Sequence, residues 1–165
     1  MTESTHEDSA DESTEDAYPT TGRLIGLDYG TKRVGIAVCD HEQWIASPLD
    51  NYTRINRNTD ADYITAVANE YHATGLVVGL PVHMSGDEGE KAQEARKFGE
   101  WAASATGLPV RFQDERYTTS RAEDAMRAAG LSAKQRKQRL DKVAAQMLLQ
   151  AFLDRTERES APGAM

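Results

Sequence analysis

Residues 23–39, RLIGLDYGTKRVGIAVC, decide the fold of this 165-residue chain. Its two apolar segments, Arg23–Tyr29 and Arg33–Cys39, predict strands, and the three residues between them predict the short turn of a β-hairpin. A third extended segment, Gln43–Leu49, follows, and Pro48 marks its expected end. Three short strands in succession predict an antiparallel start to a sheet.

The rest of the chain alternates between helical and strand patterns. Its predicted elements are a helix at Asp60–His72, a buried central strand at Leu76–Leu80, a helix at Glu90–Ala105, a further central strand at Val110–Asp114, and two helices that begin at capping boxes on Ser120 and Ser132. Hairpin strands followed by strands with helical crossovers predict an α/β fold, a mixed five-stranded sheet with helices on both faces.

Length and composition bound the class of protein. A chain of 165 residues with 39% hydrophobic residues suits one domain. No apolar run approaches the ~20 residues that span a bilayer, and no secretory leader pattern begins the chain. The lone cysteine, Cys39, excludes an internal disulfide and favours a cytoplasmic location.

The net charge of -8 comes mostly from the N-terminus. Residues 1–21 carry seven acidic side chains and no Lys or Arg, which predicts a disordered tail that aids solubility or mimics nucleic acid. We expect the folded domain at 22–157 and a flexible tail at 158–165. Within the domain, residues 111–142 concentrate basic side chains, which indicates either a solvated helical face or a surface for phosphates.

Asp28 is anomalous because it interrupts an apolar strand. A buried carboxylate is costly unless it is paired or binds a cation. Gly26 and Gly30 beside it would allow close approach of a ligand or backbone. The alternative is that Asp28 only caps the turn at Gly30.

Two further acids are candidates. Glu115 follows the strand Val110–Asp114, at the end of a sheet where α/β folds bind ligands, but it could be a simple polar strand exit. Asp141 lies beside the apolar stripe of the last helix, four residues before the small Ala145, but the flanking Arg139 and Lys142 make an exposed, salt-bridged role the default interpretation.

Three convergent carboxylates would repel each other, and a divalent cation would remove that penalty. Oxygen ligands suit Mg²⁺ or Mn²⁺, and two such ions ~4 Å apart can activate water and stabilise the leaving oxygen of a phosphodiester. The four histidines and Cys39 lack the spacing of a zinc site, and no phosphate-binding glycine loop or nucleophile elbow occurs. Cys39 is expected to be a small buried residue.

Four stretches together resemble the YqgF/RuvX family, over residues 22–155. They are GRLIGLDYGTKRVGIAVCD, GLVVGLP with a following MSGDEG, DERYTT at 114–119 and LDKVAAQMLLQAFLD at 140–154. The resemblance implies an RNase H-like fold related to Holliday junction resolvases. It also implies a hydrolase that trims the 5′ end of precursor 16S ribosomal RNA in ribosome biogenesis.

The resemblance also assigns roles to residues. It implies that Asp28, Glu115 and Asp141 are catalytic and bind Mg²⁺ or Mn²⁺. Residues of the same motifs are expected near the substrate phosphates, namely Lys32, Arg33, Arg116 and Thr118. The expected partners are nucleic acid, as precursor rRNA or branched DNA, and ribosomal assembly intermediates, with no membrane. A monomer would favour RNA trimming and a dimer junction cleavage.

Two other classes stay open at the level of sequence. The ATP-binding fold of actin and sugar kinases shares the D-x-G hairpin, but it needs a second lobe for which this chain is too short. A non-catalytic nucleic-acid-binding assembly factor could keep the same fold.

Overall fold

The computed structural model describes residues 17–116 and 118–160; for residues 118–122, 141, 142 and 156–160 it describes the backbone alone. Its elements, in chain order, are β1 (Leu24–Tyr29), β2 (Arg33–Cys39), β3 (Ala46–Thr53), α1 (Arg57–Glu70), β4 (Gly75–Leu80), α2 (Glu90–Thr106), β5 (Val110–Asp114), α3 (Thr118–Ala128) and α4 (Ala133–Ser160). This order is the one that the sequence pattern predicted.

The five strands form one mixed sheet in the order β3-β2-β1-β4-β5. β1 and β3 each pair with β2 in the antiparallel direction, as predicted, and β4 and β5 run parallel to β1. The carboxyl ends of β1, β4 and β5 therefore meet at one end of the sheet. Asp28 and Glu115 both belong to this end.

Helices cover both faces of the sheet, which confirms the predicted fold class. On one face α4 packs through Ala145, Leu148, Leu149 and Phe152 against side chains of β1, β2 and β4. On the other face Ile64 and Val67 of α1 and Phe98 of α2 pack against the opposite side of the same strands. The continuous apolar run of β4 is buried on both faces, as expected for an interior strand between two helical layers.

The prediction for the third strand was wrong at both ends. It begins at Ala46 because the Asp40 carboxylate accepts hydrogen bonds from the backbone N–H groups of Trp44 and Ile45, both at 2.8 Å, and holds them in a turn. It continues past Pro48 because β3 is an edge strand and Pro48 pairs with Ala37 at a β-bulge. Proline is tolerated at edges and bulges, where its missing N–H breaks no ladder.

The central position expected for β5 was also wrong. In the described part of the chain β5 pairs with β4 alone and forms the second edge, because the chain after it is helical and supplies no further strand. The capping box at Ser132 is confirmed: Ser132 and Gln135 exchange hydrogen bonds between side chain and backbone, at 2.9 and 3.2 Å. The proposed box at Ser120 lies among side chains that are not described, and α3 begins two residues earlier.

Other helix bounds shift for local reasons. The first helix begins at Arg57, three residues before the predicted start, because the Asn56 side chain accepts a hydrogen bond from the N–H of Thr59 and caps it. It ends before His72, whose φ of 52° is incompatible with a helix.

Packing of the domain starts upstream of residue 22. The Tyr18 hydroxyl donates to the carbonyl of Leu76 at 2.6 Å, and its ring contacts Phe152 edge-on at 5.7 Å. The rest of the predicted acidic tail, residues 1–16, lies outside the described residues, and α4 continues to Ser160, past the predicted domain end at 157. None of the described helices has the length and apolar character needed to cross a membrane.

Candidate active site

Asp28 lies on the face of the sheet that α4 covers. Alternation along β1 sends Leu27 and Tyr29 to the face of α1 and α2, whereas Gly26 and Asp28 share the opposite face. The residue opposite Asp28 on β2 is Gly35. A Cβ atom at Gly35 would lie 3.4 Å from both the Asp28 and the Ala145 Cβ atoms. Asp28 is thus held between the sheet and α4.

Of the two purposes expected of Gly26, the structure shows the close approach of backbone. A Cβ atom there would lie 2.9 Å from the Cβ of Leu149 and 3.3 Å from the carbonyl oxygen of Ala145. Gly26 therefore lets α4 pack closely on β1. Gly30 serves the hairpin turn, because a Cβ atom there would lie 2.5 Å from the carbonyl oxygen of Arg33.

Glu115 reaches the same face from β5, across the end of β4. Its backbone N–H donates to the carbonyl of Leu80 at 3.1 Å, which continues the parallel ladder by one residue. A Cβ atom at Gly79 would lie 2.8 Å from the Glu115 carboxyl carbon and 2.8 Å from Leu148 Cδ2. The bare backbone of Gly79 is what lets the Glu115 side chain lie over β4 towards Asp28.

The carboxyl groups of Asp28 and Glu115 meet and share a hydrogen bond. Burial first, and the charge of Asp28 second, raise the pKa of Glu115 from 4.5 to about 8. A protonated Glu115 therefore donates to the Asp28 carboxylate near neutral pH. A bound cation would offset the free-energy cost of holding these two carboxyl groups together away from water. Perturbed carboxyl groups of this kind are common at functional sites.

Position 141 belongs to α4, the helix that packs beside Asp28. The α4 backbone places residue 141 one turn before Ala145, on the same helix face, and Ala145 is the residue that packs beside Asp28 and Gly35. The side chain of Asp141 is outside the described residues. Among the side chains that are described, His, Cys, Asp and Glu form no cluster of three suited to a metal ion.

The donor set at this end of the sheet fits a hard divalent cation. The Asp28 and Glu115 groups supply oxygen ligands, and a bound cation would offset the burial and the neighbouring negative charge that together raise the pKa of Glu115.

Arg116 is fixed in place beside the pair. Its guanidinium lies 2.7 and 2.8 Å from one carboxylate oxygen of Asp114, which lowers the pKa of Asp114 despite its partial burial. The backbone N–H of Arg116 donates to the other oxygen at 2.8 Å, and Nη1 reaches the carbonyl of Met84 at 3.4 Å. Arg116 thus links the end of β5 to the 81–89 loop.

The other expected phosphate contacts lie at the same end of the sheet. Lys32 is exposed in the β1–β2 turn, and Arg33 is exposed at the start of β2. Thr118 begins α3, but its side chain is not among those described. Cys39 is buried, as expected, and its Sγ accepts a hydrogen bond from the N–H of Leu24 at 3.2 Å.

Sequence reasoning missed Gly79 and Gly35, which make room for the acidic pair. The signal was present, since a glycine inside a strand often marks a close approach of another group. It also missed Asp114 as the partner that orients Arg116, because adjacent polar residues at a strand end give no information on their contacts.

Comparison with known proteins now identifies the family. Residues 22–155 match the family model described as "RuvX: Holliday junction resolvase". A "Putative pre-16S rRNA nuclease" of Rhodopirellula baltica is 45% identical over 140 residues, covering 85% of this chain and 81% of that protein. A protein of Rhodobacter capsulatus with the same name is 46% identical over 140 residues, covering 84% and 87% respectively.

A solved structure supports the fold. T. thermophilus RuvC in complex with a Holliday junction substrate aligns with a TM-score of 0.51 at 16% identity, covering 82% of this chain and 96% of that one. At this identity the likeness concerns the fold alone, which is RuvC-like and of the RNase H type. The family match over residues 22–155 and the two relatives together show that the chain belongs to the RuvX family of nucleases.

Proposed function

We propose that this protein is a metal-dependent endonuclease that processes the 5′ end of precursor 16S rRNA in ribosome biogenesis. The observation that carries the proposal is the half-buried contact between Asp28 and Glu115 at the carboxyl end of a RuvC-like sheet. The name of the curated relatives supplies the substrate. Cytoplasmic rRNA precursors, and the assembly intermediates that contain them, are the partners that we infer.

Asp28, Glu115 and Asp141 are the residues that we assign to catalysis and to metal binding. Asp28 and Glu115, whose carboxyl groups meet, would supply oxygen ligands to the cation, and position 141 lies one helical turn from Ala145, which packs beside Asp28. When bound, Mg²⁺ or Mn²⁺ would supply activation of the attacking water and stabilisation of the leaving oxygen. Glu115 must lose the proton that it holds in the metal-free pair, and Gly79 and Leu148 keep its carboxyl group directed towards Asp28.

Lys32, Arg33, Arg116 and Thr118 are proposed to contact the substrate phosphates. Among the three of these residues whose side chains are described, Arg116 is the most firmly oriented. Asp114 and the Met84 carbonyl hold its side chain before substrate binds. Preorganised charge costs less side-chain entropy on binding than a free side chain does. Such contacts to phosphate would be sequence-independent and would weaken with salt.

A second candidate function is Holliday junction resolution, in keeping with the family description and the RuvC-like fold. Junction cleavage requires two sites facing two strands and hence a dimer. A third is a binding role in ribosome assembly without cleavage. The ATP-binding alternative is not favoured, because the described residues form one sheet with its helices and no second lobe.

The test incubates wild type and the Asp28→Asn variant with Mg²⁺ or Mn²⁺ on labelled precursor 16S rRNA and on a synthetic four-way DNA junction. The proposal predicts cleavage of the rRNA by wild type alone. Cleavage of the DNA junction alone would instead support the second candidate function, Holliday junction resolution. Cleavage of neither by a folded wild type would leave the binding role as the function.

A further inference from the structure

The N-terminal turns of α4 form a strongly basic surface beside the acidic pair. We define the basic arm as residues 133–139, AKQRKQR, which contain four cations and no acidic side chain. The four cations are Lys134, Arg136, Lys137 and Arg139. All but Arg136 are exposed, and the Arg136 guanidinium donates to the carbonyl of Leu131 at 2.8 Å.

The basic arm extends beyond the carboxyl end of the sheet. Phe152 packs near the amino ends of the strands, with Tyr18, and Ala145 packs beside Asp28 near the carboxyl end of β1. Continuing towards the N-terminus of α4, Lys137 lies roughly 12 Å and Lys134 roughly 16 Å past Ala145 along the helix axis, at 1.5 Å per residue. Both lysines are exposed.

Lys134 and Lys137 continue the face of α4 that packs on the sheet. The helical repeat places residues 134, 137, 141, 145, 148 and 152 within one sector of about 80°. Ala145, Leu148 and Phe152 in this sector are buried, and position 141 follows them. Past the end of the sheet, the same sector therefore presents Lys137 and then Lys134 above the space in front of the acidic pair.

The positions of these cations destabilise the helix. The first turn of α4 has no acidic residue, and cations near a helix N-terminus oppose the macrodipole. Lys134 and Lys137 also repel each other as a like-charged i,i+3 pair. Each effect costs a few tenths of a kcal/mol. A polyanion is the ligand whose binding would offset this cost.

We propose that Lys134 and Lys137 bind the RNA phosphates that flank the scissile bond and hold the strand across the acidic pair. This inference rests on the proposed nuclease function and deepens it by naming the surface that retains the substrate. Cations are needed there to hold the substrate, because the carboxylates themselves repel phosphate. The lysines, about 6 and 10 Å along the axis from position 141, lie within reach of neighbouring nucleotides.

The test measures binding of fluorescent precursor 16S rRNA by anisotropy in EDTA, where metal-dependent cleavage does not occur, from 50 to 200 mM salt. The double variant Lys134→Gln, Lys137→Gln is compared with wild type and with Lys97→Gln, a matched control at an exposed lysine of α2 on the other face. Losing two phosphate contacts should lower the slope of log Kd against log salt by about 1.4–1.8. Wild-type affinity should thus fall about tenfold more than that of the double variant over this range.

The thermal midpoint supplies an independent readout. The double variant should unfold at the same or a higher temperature than wild type, because unfavourable charges have been removed from the helix N-terminus. Slopes that match between the double variant and wild type would overturn the proposal, as would an equal loss of slope in Lys97→Gln. Because binding is measured without cleavage, a protein that binds through these lysines but cleaves nothing would contradict the nuclease function and support the basic arm.

Discussion

Replacing Glu115 by Gln should stabilise the metal-free protein at neutral and mildly basic pH. Burial and the adjacent Asp28 carboxylate raise the pKa of Glu115 from 4.5 to about 8 in the folded chain. The folded state therefore binds this proton more tightly than the unfolded state does. Its stabilising effect is complete below pH 4.5 and is lost as the pH rises towards 8.

The size of the effect follows from the shift. One pKa unit corresponds to about 1.4 kcal/mol. Through this group, the free energy of unfolding of wild type is therefore lower at pH 7 than at pH 4.5 by on the order of 3 kcal/mol. The Glu115→Gln variant does not titrate, and its amide can still donate to Asp28. We expect the variant to exceed wild type in free energy of unfolding by roughly this amount at pH 7, and to match it near pH 4.5.

The assay is urea unfolding followed by circular dichroism at several values between pH 4.5 and 8, in EDTA. The variant Glu94→Gln, at an exposed glutamate of α2, is the matched control and should track wild type at every pH. Apart from Glu94 in the control, all other titrating groups are common to the three proteins, so the difference curves report on Glu115 together with the Asp28 carboxylate that it contacts. A Glu115→Gln curve that runs parallel to wild type would refute the half-buried acidic pair.

Three further predictions concern the metal site, the packing of Glu115 and the start of α4. Mg²⁺ or Mn²⁺ should raise the melting temperature of wild type at pH 8 but have a much smaller effect on Asp28→Asn, as measured by scanning calorimetry, since a ligand of the folded state stabilises it by mass action. Gly79→Ala should reduce cleavage about tenfold or more, because the new Cβ would lie 2.8 Å from the Glu115 carboxyl carbon and displace it; unchanged kinetics would contradict the packing. Ser132→Ala should lower the free energy of unfolding by about 1 kcal/mol in urea titrations, through loss of its hydrogen bond to the N–H of Gln135.

Local patterns made much of the fold predictable. The apolar hairpin around Asp28 and the run at Leu76–Leu80 specified the antiparallel and parallel parts of the sheet, because strand length and turn residues are encoded locally. The course of β3 through Pro48 was not predictable. A strand can accommodate a proline when it lies at an edge of the sheet, and its place in the sheet is known only once the sheet is assembled.

The acidic pair was predictable only in part. Asp28 attracted attention because a carboxylate in an apolar strand is costly, but its contact with Glu115 joins positions 87 residues apart in the sequence. That contact depends on Gly79 and on the parallel register of β4 with β5, which no local pattern records. The edge position of β5 likewise followed from the absence of a later strand to pair with it in the described chain.

Single-turnover cleavage of precursor 16S rRNA by point variants tests the central claim most directly. Wild type would be compared in Mg²⁺ with Asp28→Asn, Glu115→Gln and Asp141→Asn, and with Asp154→Asn as a matched control at an exposed aspartate of α4. The account predicts that each of the first three lowers the rate about a hundredfold or more, as the loss of several kcal/mol of transition-state stabilisation requires, and that the control retains the wild-type rate. Wild-type rates in the first three variants, with the RNA cut at the same position, would contradict it.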